Sequence, residues 1–207
     1  MNKAPKITSL MVLLFGCGSL IFAYAYRANV RGHVMETQAP LRATLTAVFP
    51  SVDIRHFTPA QQQLFDTLKR EYGRHPKSFD AAVLEYTAGV QEPWCADFVS
   101  WVMRDIGQPL ANPHSGSWRI PGVYTLREYY QAAHRWEPAS DTYVPTFGDV
   151  AIFAKSPSAS HTTIVFSVDT KTHTMKTLGG NENSTIAFRT HSYLPSHEDL
   201  AGFGTLR

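Results

Sequence analysis

The sequence predicts an α+β fold, and three observations predict it. Residues 58–136 carry apolar positions at helical spacing. After Pro145 the pattern changes to short β-rich runs. Turn-formers, "KSPSAS", "TKTH" and "GGNENS", separate those runs. Helices first and short antiparallel strands after make an α+β domain. The chain has 207 residues, enough for one domain with its own core.

The elements follow in order. Residues 7–26, "ITSLMVLLFGCGSLIFAYAY", are uncharged, with Lys3 and Lys6 before them and Arg27 and Arg31 after. At about 1.5 Å per residue, about 20 helical residues cross a bilayer core of about 30 Å. The run reads as an uncleaved signal anchor, as a signal peptide cleaved after Ala23-Tyr24-Ala25, or as a lipoprotein signal ending at Cys17. In each case the bulk of the protein is expected outside the cytoplasm. Residues 27–56 read as a membrane-proximal linker that contains Pro40 and Pro50, and residues 57–207 as the folded domain.

Within that domain "TPAQQQLFDTLKREYG" predicts a helix. Thr58 caps it, Pro59 suits its first turn, Gly73 suits its exit, and Leu64, Leu68 and Tyr72 form its buried stripe. A second helix starts at Cys95, with Phe98, Val99, Val102 and Ile106 at spacings of three and four. A third is predicted over 125–136, with Leu126, Tyr129, Tyr130 and Ala133 inward. The turn-rich "NPHSGSWRIPG" joins these two. The strands are "GDVAIFA", "HTTIVFSVD", "TMKTL", "TIAFRTHSY" and "GFGTL".

Charge narrows the function. A net charge of +2 and the lack of a Lys/Arg stripe interleaved with aromatics argue against a nucleic-acid partner. No HExxH motif and no clustered Cys/His spacing suggests a metal site, and no cofactor is expected.

The chemistry gathers around "QEPWCADFVSW". The chain has two cysteines, and Cys95 is the one in the folded region. It opens a helix, where backbone N–H groups lack intrahelical partners and the macrodipole favours negative charge. Those groups stabilise a thiolate and can receive an oxyanion. A cysteine nucleophile needs a base. His161 heads a strand beside a turn-rich loop, whereas His114, His134, His173, His191 and His197 lie in loops or on polar faces. "LGGNENS" offers Asn181, Glu182 and Asn183 as partners for the imidazole, with Asn181 first after the glycines. Gln91 is a candidate oxyanion donor, and Trp94 a candidate substrate contact. Asp97 reads as a structural acid in a first helical turn.

"EPWCADFVSWVMRDIG", "GDVAIF", "SHTTIVFSVD" and "LGGN", in this order, resemble the CHAP family. These are cysteine- and histidine-dependent amidohydrolases and peptidases related to NlpC/P60. The resemblance covers roughly residues 60–207 and implies a papain-like core. It implies Cys95 as nucleophile, His161 as base, Asn181 as the orienting residue, and peptidoglycan as the partner. The implied reaction cleaves a stem-peptide or N-acetylmuramoyl-L-alanine amide. NlpC/P60 endopeptidases show "DCSG" at the nucleophile; here Trp94 precedes Cys95, which sets this chain apart from their specificity. The alternative expectation is a non-catalytic CHAP-like module that binds wall or a partner protein and is held at the membrane.

Overall fold

The computed structural model describes residues 48–154, 160–195 and 199–206. The expected signal segment and residues 27–47 of the expected linker lie outside the described residues. Among the described residues no helix is long and apolar enough to cross a membrane.

Phe49–Arg207 form one compact unit. Its described residues hold four helices, α1 (Pro59–Arg74), α2 (Ala81–Tyr86), α3 (Cys95–Asp105) and α4 (Val123–Ala132). Its strands are β1 (Trp136–Pro138), β2 (Val150–Phe153), β3 (His161–Asp169), β4 (Thr174–Glu182), β5 (Thr185–Ser192) and β6 (Leu200–Gly204). The strands form one antiparallel sheet in the order β1-β6-β2-β3-β4-β5. The α+β class holds. The packed unit starts earlier than residue 57, because the Phe49 ring meets Phe65, Tyr72, Phe166 and Phe188 at 5.3–5.6 Å between centroids.

Local signals set most helix boundaries. Thr58 and Gln61 make a reciprocal capping box at the start of α1, with Pro59 in its first turn. The exit is not Gly73. The helix runs to Arg74, and His75 closes it in the left-handed conformation at φ 47°. Leu64, Leu68 and Tyr72 are buried as expected, and so are Phe98, Val99 and Val102 of α3 and Ile106 at its C-terminal cap. The last helix ends at Ala132, because Trp136 belongs to β1, which pairs with β6. Neither β1 nor α2 was expected; at three and six residues they are too short to show a period.

The sheet is buried on both faces. One core joins the helices to Val150, Ile164, Phe166, Leu178 and Ile186. A second holds Ala151, Phe153, Val165, Met175, Leu200 and Phe203, with Tyr143 and Leu194 packed against it. β2 is therefore buried at every residue and β3 along most of its length. Asp149 ties the turn into β2: its Oδ2 accepts from the Thr146 N–H at 2.7 Å and the Tyr143 hydroxyl at 2.8 Å.

Helix α3 lies on β3 and β4. It sits close because Gly180 has no side chain: a Cβ there would meet Phe98 at 2.5 Å and the Trp94 ring at 2.7 Å. Gly180→Ala should therefore destabilise the fold by about 1–3 kcal/mol, since two packed rings cannot both give way. Gly73→Ala is the contrasting change. Nothing lies within 4 Å of a Cβ at Gly73, and the residue is inside α1. That variant should gain about 0.4–1 kcal/mol. Urea unfolding midpoints of both variants against the parent check the pair of signs.

Candidate active site

Cys95 opens α3 with no side chain capping the helix, and the first helical hydrogen bond runs from the Phe98 N–H to the Trp94 carbonyl at 2.9 Å. The amides of Cys95 and Ala96 precede that bond, so the positive end of the helix meets the thiol. The thiol is free and buried.

His161 begins β3 opposite Phe153 of β2. Its Nε2 meets Glu182 Oε1 at 2.8 Å. The Cys95 thiol is its other side-chain hydrogen-bond partner. Because Nε2 faces the carboxylate, Nδ1 is the nitrogen that serves the sulfur. Glu182 completes the line: its Oε2 accepts from Arg189 Nε at 3.0 Å. The order is thus thiol, imidazole, carboxylate, guanidinium.

The third group is a correction. The residue bonded to His161 is Glu182 and not Asn181. The cause is a bulge. Gly179 pairs with Ala187 and Glu182 with Thr185, so β4 spends one residue more than β5 over this stretch. Asn181 sits at the irregularity in the left-handed conformation, φ 59°. Asn183 and Ser184 then make the two-residue hairpin turn, both at positive φ. Gly179 leaves room for the carboxylate, since a Cβ there would lie 2.8 Å from Glu182 Oε1. Among the described residues Asn181 makes no hydrogen bond to His161.

Trp94 needs a correction too. It is 1% exposed, packs on Tyr86 and Phe98, and donates its indole N–H to Ser78 Oγ at 3.1 Å. Its ring belongs to the core and has no free face for substrate. Gln91 is exposed on the segment leading to α3. His114 pairs with Glu128 on the surface at 2.8 Å, away from this line of groups.

A second set of charges brackets Cys95. Arg119, from the loop between α3 and α4, bonds Asp97 Oδ1 through Nε at 2.6 Å and meets Glu92 Oε1 through Nη2. Glu92 precedes Cys95 by three residues and Asp97 follows it by two. The Ile120 N–H adds a bond to Ser100 Oγ at 3.1 Å. Asp97 is fully buried, and that burial pushes its carboxyl upward. Arg119 and Arg189 are the charged neighbours of the candidate site that the sequence reading missed. Each reaches its partner from a separate loop or strand, so no local spacing marks it.

These groups set the charge on the imidazole. Burial pulls His161 down, but the hydrogen bonds to Cys95 and Glu182 outweigh it, and its pKa is pushed up to about 9. Burial pushes the Glu182 carboxyl up, and His161 and Arg189 together bring it below the ordinary range. At neutral pH the site holds an imidazolium against a carboxylate, with the sulfur on the other ring nitrogen. A thiolate in that position is a ready nucleophile, and the imidazolium a ready acid.

Residues 86–181 match the family model of the CHAP domain. This is the family that the motifs around Cys95 and His161 resemble. The match takes in Cys95, His161 and Asn181 and ends one residue before Glu182. CHAP domains are typically hydrolases of the amidase and peptidase kind, with functions related to peptidoglycan. No curated protein matches the chain.

The raised imidazole makes stability depend on pH. A group whose pKa is higher folded than unfolded contributes fully below the unfolded value, and that contribution disappears as pH rises through the folded value. For His161 the window runs from 6.5 up to about 9. Denaturation midpoints of the parent should therefore fall across that window by more than those of His161→Gln. Subtracting the two profiles isolates this histidine. Equal slopes would show that the imidazolium gains nothing in the folded site.

Proposed function

We propose that this chain hydrolyses an amide bond of peptidoglycan by Cys-His catalysis, with Glu182 as the orienting carboxylate. The observation that carries the reading is the continuous arrangement of the α3 thiol, the His161 imidazole and the Glu182 carboxylate. The CHAP match supports the substrate class.

The steps follow from the charges. The Cys95 thiolate attacks the amide carbonyl carbon, and the carbonyl oxygen becomes an oxyanion. The Cys95 backbone N–H at the head of α3 receives it. Gln91, exposed and without a hydrogen-bond partner among the described residues, is the candidate second donor. The C–N bond breaks, and His161 gives its Nδ1 proton to the leaving amine. A thioester remains. Neutral His161 then takes a proton from water, and the hydroxide attacks the thioester carbonyl. The acid leaves, and the imidazolium and thiolate are restored. Throughout, Glu182 holds Nε2–H and stabilises the charged ring, so Nδ1 stays aimed at the reacting atoms.

The location of this work belongs to the same proposal. The uncharged run 7–26 supports an extracytoplasmic domain, either anchored at the membrane by that segment or released to the wall.

The test is mass spectrometry of purified peptidoglycan after digestion by the full chain. A new free amine and a new carboxyl at one linkage identify the scissile bond. Cys95→Ser should lower turnover on the order of 10³-fold or more and leave the unfolding midpoint near the parent value, since a neutral hydroxyl replaces the thiolate. Parent-like digestion by that variant would sink the cysteine mechanism. Glu182→Ala should cost on the order of 10-fold to 100-fold through lost orientation. Asn181→Gly, which keeps the left-handed backbone, should stay within about 3-fold of the parent, because a side chain outside the hydrogen-bond line gives the reaction little to lose. If Asn181→Gly proved the more damaging of the two, the orienting role would move back to Asn181.

A further inference from the structure

Arg189 has no place in the chemistry above, yet it holds the far end of the catalytic line. It lies on β5, where it pairs in register with Thr177 of β4. Its guanidinium reaches along the hairpin to Glu182, and Nε meets Oε2 at 3.0 Å. Glu182 Oε1 is the oxygen on His161. The two carboxylate oxygens are thus held by different partners, one on each side. A carboxylate fixed at one oxygen only can turn about its last torsion, which is broad. Fixed at both, it has one orientation.

The bulge makes this second hold necessary. Glu182 closes β4 directly before the Asn183–Ser184 turn, where ladder hydrogen bonds give way to a tight reversal. The side chain stands beside Gly179, which supplies no wall of its own. Arg189 is the group that supplies it. From the structure we infer that Arg189 is a positioning residue of the active site, fixing the Glu182 carboxylate against His161 so that the imidazolium stays charged and aimed at Cys95. The inference rests on reading Cys95, His161 and Glu182 as one catalytic unit.

Two opposite effects make the role testable. As a cation, Arg189 repels the imidazolium, and its removal by charge alone would raise the His161 pKa. As a clamp, it keeps the carboxylate in place, and its removal would let the carboxylate turn away and lower the His161 pKa. The titratable and charged groups facing His161 and its carboxylate among the described residues are Cys95 from α3, Glu182 from β4 and Arg189 from β5. The sign therefore separates clamp from bystander.

The experiment is an NMR titration of the His161 ring in the full chain, which needs no substrate. In Arg189→Ala the midpoint should drop by about one unit, in the direction of Glu182→Gln, because an opposite charge within about 4–6 Å is worth about 1–3 units and part of it is lost. The double variant should titrate like Glu182→Gln alone, since both changes break the same contact. Should Arg189→Ala fail to fold, Arg189→Gln carries the same test. An upward shift, no shift, or full additivity in the double variant would each overturn the positioning role. A downward shift in a protein that proves to cleave no wall amide would uphold the clamp and refute the proposed substrate instead.

Discussion

The structure depends on how closely α3 can lie against the sheet. Cys95 sits on a helix and His161 on a strand, and the two meet only where helix and sheet almost touch. Gly180 makes this approach: Phe98 and Trp94 occupy the space a side chain would take. The rings in turn fix the helix. Trp94 and Phe98 pack on Tyr86 of α2, and the indole N–H is anchored on Ser78. The same contact therefore builds the core and sets the distance between the thiol and the imidazole. The Ser78 N–H bonds the Ser184 carbonyl at 2.9 Å, so the β4–β5 turn that carries Glu182 is tied to this cluster as well.

Electrostatics then work on a prepared geometry. Two lines of charge reach Cys95 from different directions. One runs through His161 and Glu182 to Arg189 and keeps a proton on the imidazole. The other joins Glu92, Arg119 and Asp97 and ties down the chain on either side of Cys95. Buried charges of this kind are seldom a net source of stability, because desolvation opposes the attraction. Their worth here lies in direction. Each carboxylate meets a guanidinium or an imidazole, and the head of α3 is held from both sides.

Much of the fold was legible in the sequence, and the particulars show why. The Thr58 capping box, the stripes of α1 and α3, and the strands after Pro145 are written within windows of a few residues. So is the chemistry at the head of α3, where the free amides belong to the helix end itself. What escaped was short or distant. α2 and β1 lack a period because they are too short to complete one. Trp94 looked like a site residue because it adjoins Cys95, yet one step along a helix start turns a side chain from cleft to core. Arg119 and Arg189 carry no signal in their own surroundings.

The sequence by itself determined that Cys95 begins a helix, that His161 heads a strand, and that a polar cluster follows the paired glycines. These are local matters of capping, period and turn chemistry. Only the tertiary structure decided which member of that cluster meets the imidazole. The choice between Asn181 and Glu182 rests on one extra residue in β4 relative to β5. In a strand such a slip changes which side chain faces a given neighbour, and it is set by pairing between strands. The reach of Arg189 to Glu182 across the hairpin follows from the same register, so it too became visible only once the two strands were paired.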